Sequence, residues 1–234
     1  MRYYYQPKDL PNELRKYCEE WSTGTRFMHP FRFDRLPFCS ETDILTEISE
    51  QENKFSMAIN EMEWTEALYL VEGWRYRFQY LIQSIEPKIP RDEDGDRIYW
   101  TLFFEAFRNS TNHFRQEIYI LQALNCQRSN KHETLNGKDH ATFRKLQGPI
   151  TGWRGVNAPT ETEATEYIKS GFSWSICKTK AEWFSRRCTE QDGNAFIAHA
   201  QIEKNEIEAY FPSAGEGEFI VIPSKKRQVY FEEL

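Results

Sequence analysis

The sequence predicts an α+β chain, helices first and sheet after. Up to about residue 127 the apolar residues recur mostly at helical spacing. After Gly148 the texture changes to short β-prone runs separated by turns. The aromatic residues (7 Trp, 12 Tyr and 17 Phe in 234 residues) supply most of the volume from which such a chain can build its core.

Taken in order, residues 1–40 read as irregular, punctuated by Pro7, Pro11, Pro30 and Pro37, with one short helix near Asn12 to Trp21. From Glu41 to about Ser84 the pattern is helical. Ser40-Glu41-Thr42-Asp43 offers caps, and Ile44, Ile48, Phe55, Ile59 and Met62 mark an apolar face. EWTEALYLVEGWRYRFQYLI reads as a further helix. The prolines and charges of IEPKIPRDEDGDR then break the pattern and suggest a boundary between 1–97, a mainly helical region, and 98–234. Ile98 to about Gln127 reads as one long amphipathic helix. Beyond the loop NCQRSNKHETLNGKDH come PITGWRGV, GFSWSICK, NAFIAHAQIE, EIEAYF, EFIVIP and RQVYFEEL as strands, interrupted by helices at TETEATEYIKSG and TKAEWFSRRC.

Composition excludes some functions. A formal net charge of −6 argues against broad electrostatic binding to nucleic acid or anionic membrane. No apolar run approaches a membrane span, and MRYYYQPKDLPNEL lacks the apolar core of a signal peptide. Cys18, Cys39, Cys126, Cys177 and Cys188 are scattered without a CxxC, which fits a reducing cytoplasm, that of the producing cell or of a host receiving the protein. No metal is called for. Asp92, Asp94 and Asp96 suggest a calcium loop, but its sixth position holds Arg97 where glycine is needed, and its twelfth holds Phe103 in place of glutamate. His132 and His140, eight apart, have no third ligand at metal spacing.

Three stretches remain. Trp153-Arg154-Gly155-Val156 puts an arginine inside a β-prone run. Gly171-Phe172-Ser173-Trp174-Ser175 precedes Ala181-Glu182-Trp183-Phe184. Glu216-Gly217-Glu218 opens the apolar run Phe219 to Ile222. Residues two apart on a strand share a face, so Glu216 and Glu218 set like charges side by side, which is unfavourable without solvent or a cationic partner. Each stretch also has a bland reading: an edge arginine, solvent-facing serines, a core tryptophan, a solvated strand entrance.

Their joint order resembles the Arg–Ser–Glu signature of mono-ADP-ribosyltransferases. Arg154-Gly155 corresponds to the first-strand Arg-Gly. Ser173-Trp174-Ser175, with Ala181 and Phe184 downstream, corresponds to the Ser-x-Ser strand and its Ala-x-x-Phe helix, Trp174 departing from the commoner threonine. Glu216-Gly217-Glu218 corresponds to the ExE pair. The resemblance covers about residues 148–225. It implies a split β-sandwich with a cleft for NAD, the co-substrate, and transfer of ADP-ribose to a side chain of a target protein, arginine favoured for the ExE form, with release of nicotinamide. By that resemblance Glu218 is the catalytic carboxylate, Ser173 holds it and Glu216 serves the acceptor. Arg154 and Gly155 hold NAD, with Ser175 beside them, and Trp153, Phe172 or Trp174 is available to stack on nicotinamide. Bacterial and phage toxins and effectors are the setting in which small transferases of this kind occur. An NAD glycohydrolase on the same scaffold, or a binding or inhibitor protein without catalysis, are the alternatives.

Overall fold

The computed structural model describes residues 3–21, 24–110, 113–135, 137–187, 193–212, 215 and 217–232. They fall into two units, Met1–Ser129 and Asn130–Leu234. The boundary read at 97/98 lies inside a helix of the first unit, because the prolines before it end one helix while Asp92 immediately caps the next, its Oδ1 accepting the Gly95 N–H at 2.8 Å.

The first unit opens with strands where the sequence reads as irregular. These are β1 (Tyr3–Tyr5), β2 (Cys18–Trp21), β3 (Gly24–His29), β4 (Arg32–Arg35) and β5 (Phe38–Ser40). β1 pairs with β5, and β2, β3 and β4 form an antiparallel three-stranded sheet. The helix read over Asn12 to Trp21 shrinks to α1 (Asn12–Arg15), its second half being β2. Strands this short carry little periodicity of their own and are set by their partners. Phe27, Leu36, Phe38, Ile44 and Leu10 close a core over them.

The helical part comprises α2 (Ile44–Asn60), α3 (Trp64–Leu70), α4 (Arg77–Tyr80), α5 (Glu93–Arg108) and α6 (Glu117–Leu124). Asp43 caps α2 by accepting the Leu45 N–H at 3.0 Å. The single helix read across EWTEALYLVEGWRYRFQYLI is interrupted at Gly73, whose N–H donates to Pro30 O at 3.0 Å. A Cβ there would lie 2.8 Å from His29 O, so a backbone approach displaces helical continuity. The long helix read from Ile98 likewise stops at Arg108. Asn109 caps it, donating its N–H to Glu105 O and Phe107 O, and a polar stretch precedes α6. The aspartates near 92–96 are structural: besides the Asp92 cap, Asp96 pairs with Arg128 at 3.1 Å. Arg128 has no exposed side-chain surface and also bonds Pro90 O and Ile89 O. Among the described residues no cluster could hold a metal ion, and no helix is long and apolar enough to cross a membrane.

The second unit contains α7 (Gly137–Lys145), β6 (Ile150–Ala158), α8 (Glu161–Lys169), β7 (Ser173–Ser175), α9 (Lys178–Arg187), β8 (Asn194–Ile202), β9 (Ile207–Phe211), β10 (Glu218–Val221) and β11 (Tyr230–Glu232). The chain is thus α+β, as its texture predicts. Thr160-Glu161-Thr162-Glu163 starts α8 as a reciprocal cap: Thr160 Oγ1 accepts the Glu163 N–H at 3.3 Å and donates to Glu163 Oε2 at 2.9 Å.

The strands form one six-stranded sheet in the order β11-β8-β6-β7-β10-β9, each pairing antiparallel. β6 pairs with β8 along its whole length, but meets β7 at the single pair Trp153–Ser175. Two three-stranded halves are joined there. Phe219, Ile220 and Val221 of β10 are all buried, which is why the sequence shows an unbroken apolar run instead of alternation. Phe219, Trp174, Ala198, Ala200, Ile202 and Ile168 form the core. Gly152 lets them close on β6, since a Cβ there would stand 2.8 Å from the Phe219 ring.

Candidate functional site

The narrow join between the half-sheets brings three separated residues together. β10 runs beside β7 with Phe219 opposite Trp174, so the core ring of each strand sets its neighbours on the other face. Ser173 and Glu218 consequently share a face, and Ser173 Oγ donates a hydrogen bond to Glu218 Oε1. Arg154, on β6, donates from Nη1 to the backbone carbonyl of Ser173. Ser173 therefore bonds both partners through separate atoms, its carbonyl to the guanidinium and its hydroxyl to the carboxylate, although these residues lie up to 64 positions apart in sequence (218 − 154). Both Ser173 and Glu218 are half-buried.

Arg154 is electrostatically unusual. Burial pulls its pKa down to about 10, and the Glu218 charge opposes that fall. It stays a cation at neutral pH. Among the described residues its hydrogen bond goes to the Ser173 carbonyl, and its buried Nε has no partner. A guanidinium carries five donors, so a desolvated one so sparsely bonded suits an anionic ligand.

The glycines shape this region by space. A Cβ on Gly171 would fall 2.0 Å from Arg154 Cζ. Gly217 adopts φ +55°, a left-handed conformation suited to glycine, and its carbonyl accepts the Ile176 N–H at 3.0 Å.

Of the flanking residues, Trp153 lies on the face of Ser173 and Glu218, and the others are taken up by the fold. Trp153 stands opposite Ser175, which stands opposite Glu218, so it shares the face of Ser173 and Glu218, while Arg154 beside it turns to the other face and reaches the Ser173 carbonyl. The Trp153 ring packs on His199 at 4.9 Å, which stacks on Tyr230 at 5.5 Å, and Lys178 Nζ lies 5.3 Å from the indole centre. Phe172 is wholly buried and Trp174 is 1% exposed, its Nε1 donating to Gly171 O at 3.2 Å. Such side chains offer a ligand no surface. Ser175 is buried, and its Oγ accepts the Cys177 N–H at 2.9 Å at the start of α9. Gly155 serves packing: a Cβ there would lie 1.8 Å from Ala181 O of α9. The contacts described for Phe172, Trp174, Ser175 and Gly155 are with the fold, whereas Trp153 keeps a half-buried ring on the face of Ser173 and Glu218. Glu216, the acceptor-side carboxylate of the sequence reading, lies outside the described residues.

Sequence reasoning gave Gly171 no role of its own and passed over His199. The first is visible only once Arg154 reaches across to it. The second was legible in the alternation of NAFIAHAQIE, which places it among outward-facing residues of β8. No protein-family model matches the chain, and neither a curated protein nor a solved structure matches it. The arrangement therefore has to be judged on its chemistry. It offers a desolvated cation near a carboxylate held by a serine hydroxyl.

Proposed function

We propose that the chain is an NAD-dependent mono-ADP-ribosyltransferase that modifies a side chain of a target protein. The observation that carries this reading is the hydrogen-bonded sequence Arg154–Ser173–Glu218. The sheet divided into two halves around a single joining pair supports it as a split-sandwich scaffold.

In this reading Arg154 binds the diphosphate of NAD with charge-assisted hydrogen bonds. The bond between ribose C1′ and the nicotinamide nitrogen then breaks. Nicotinamide leaves with the bonding pair and becomes neutral, while positive charge develops on the ribose. Glu218, fixed by Ser173, stabilises that charge. A nucleophile of the target, an arginine side-chain nitrogen in the favoured form, bonds to C1′ and gives up a proton. Glu216 is the residue that would orient it and take the proton.

The test incubates wild type and Glu218→Gln with NAD labelled on its adenylate half, with and without a cell lysate, scoring nicotinamide release and label on protein together. The expected outcome is label on a discrete band and a loss of about 100-fold or more in the variant, the scale of removing one preorganised electrostatic group. Nicotinamide release that never labels protein would replace the transferase by a glycohydrolase. Absence of both signals from folded protein would overturn the enzymatic reading.

A further inference from the structure

We propose that Gly171 is the positioning residue for Arg154: the missing side chain at 171 is the slot in which the guanidinium lies, and it aims that cation at the anionic part of the dinucleotide. The proposal rests on the functional reading above and deepens it.

Gly171 is not demanded by backbone conformation. Among the described glycines only Gly24, Gly215 and Gly217 take positive φ. What Gly171 supplies is space. A Cβ there would stand 2.0 Å from Arg154 Cζ, 2.2 Å from Nε and 2.3 Å from Nη2, and these are the three nearest heavy atoms it would meet. Gly155 clears room for Ala181 O, Gly152 for the Phe219 ring and Gly193 for Asn157 Oδ1. Gly171 clears room for the tip of one arginine.

The neighbourhood keeps that slot in place. The Gly171 carbonyl accepts the Trp174 indole N–H at 3.2 Å, and its own N–H donates to Ile168 O at 3.3 Å at the end of α8. Phe172 O accepts the Val221 N–H at 2.8 Å. The floor is therefore tied to α8, to the core tryptophan and to β10, two residues before the carbonyl of Ser173 that receives Arg154 Nη1. A methyl group at 171 collides with the free end of a flexible chain, so the backbone stays and the guanidinium moves. It leaves the Ser173 carbonyl and the shelter that now covers Nε.

Two readouts test this in the full-length chain. The first is solvent exchange of the Arg154 Nε–H, identified by nitrogen-15 NMR through its absence in Arg154→Lys. Gly171→Ala should speed that exchange about tenfold or more as Nε becomes exposed. The second is NAD affinity by calorimetry in a Glu218→Gln background, where turnover is suppressed. Gly171→Ala should weaken binding about tenfold or more, the loss of one hydrogen bond between charged groups. In an Arg154→Ala background, where the slot is vacant, Gly171→Ala should change affinity less than about twofold. Unchanged Nε–H exchange in Gly171→Ala would overturn the slot. An equal loss of affinity in both backgrounds would make Gly171 a general structural residue and also overturn it. Faster exchange with no effect on NAD affinity would remove the link to the dinucleotide. If wild type binds no NAD while exchange in Gly171→Ala still speeds up, the functional reading falls and the hold of Gly171 on Arg154 stands.

Discussion

At the scale of single residues, Ser173 does two separable things. Its hydroxyl holds Glu218 and its backbone carbonyl holds Arg154. Substitution by alanine removes the first and keeps the second. Under the proposed function Ser173→Ala should therefore lower kcat about tenfold, the cost of freeing a carboxylate from one charge-assisted hydrogen bond, while KM for NAD stays within about twofold. Arg154→Lys should show the reverse, with KM rising and kcat less affected, because a lysine neither forks a diphosphate nor reaches the same carbonyl. Steady-state nicotinamide release measures both. Matching losses of kcat and KM in the two variants would mean that the three side chains do not divide the labour in this way.

At the scale of elements, α9 depends on Gly155. Ala181 is 1% exposed, and its carbonyl occupies the volume a Cβ at 155 would need. Here the obstacle is helix backbone and cannot swing aside. Gly155→Ala should push α9 away from β6 and cost about 1–3 kcal/mol, read as a lower urea midpoint with unchanged slope. An unshifted midpoint would show that α9 can slide at no cost. The same contrast between local and distant causes explains what the sequence revealed. β10 and α8 were legible because burial on both faces and a Thr-x-x-Glu cap are written into contiguous residues. The order and spacing of the three motifs picked out Arg154, Ser173 and Glu218, which the structure joins by hydrogen bonds. The β1–β5 pair was not legible, since strands of three residues owe their shape to partners 33 to 37 positions away (Tyr3 with Ser40, Tyr5 with Phe38). The break at Gly73 was hidden for the same reason, its cause being His29 and Pro30. The burial of Phe172 and Trp174 was not legible, because a residue's type states what it could stack on, whereas packing decides whether any of its surface is left open.

At the scale of the whole molecule, acid stability is set in part by a histidine far in sequence from the candidate site. His29, at the end of β3, is 7% exposed and is enclosed by Tyr17 at 4.4 Å and by Phe27 and Phe31, each at 6.2 Å. Its Nδ1 accepts the Phe31 N–H at 3.2 Å. Burial, reinforced by the Lys16 charge, brings its pKa down from 6.5 to about 4. The folded state therefore holds this ring neutral under conditions where the unfolded chain protonates it. Because the folded pKa is the lower one, the stabilisation is complete above about pH 6.5 and is lost as pH falls toward 4, by about 3 kcal/mol at the limit. Glu19 acts in a lower window. Burial raises its pKa, but Arg75 and Arg115 outweigh this and hold it below 4.5, so its contribution disappears only as pH falls through that depressed value. The two effects can be separated by His29→Asn, which keeps an acceptor for Phe31 and does not titrate. The variant will be less stable at pH 7 through lost ring packing, so the quantity to compare is the change in unfolding free energy between pH 7 and pH 4.5. Wild type should lose more over that interval than His29→Asn, and the two curves should run parallel below pH 4, where Glu19 and the other carboxylates take over. Parallel curves throughout would mean that His29 is hydrated and titrates near its ordinary value, contrary to the aromatic enclosure that surrounds it.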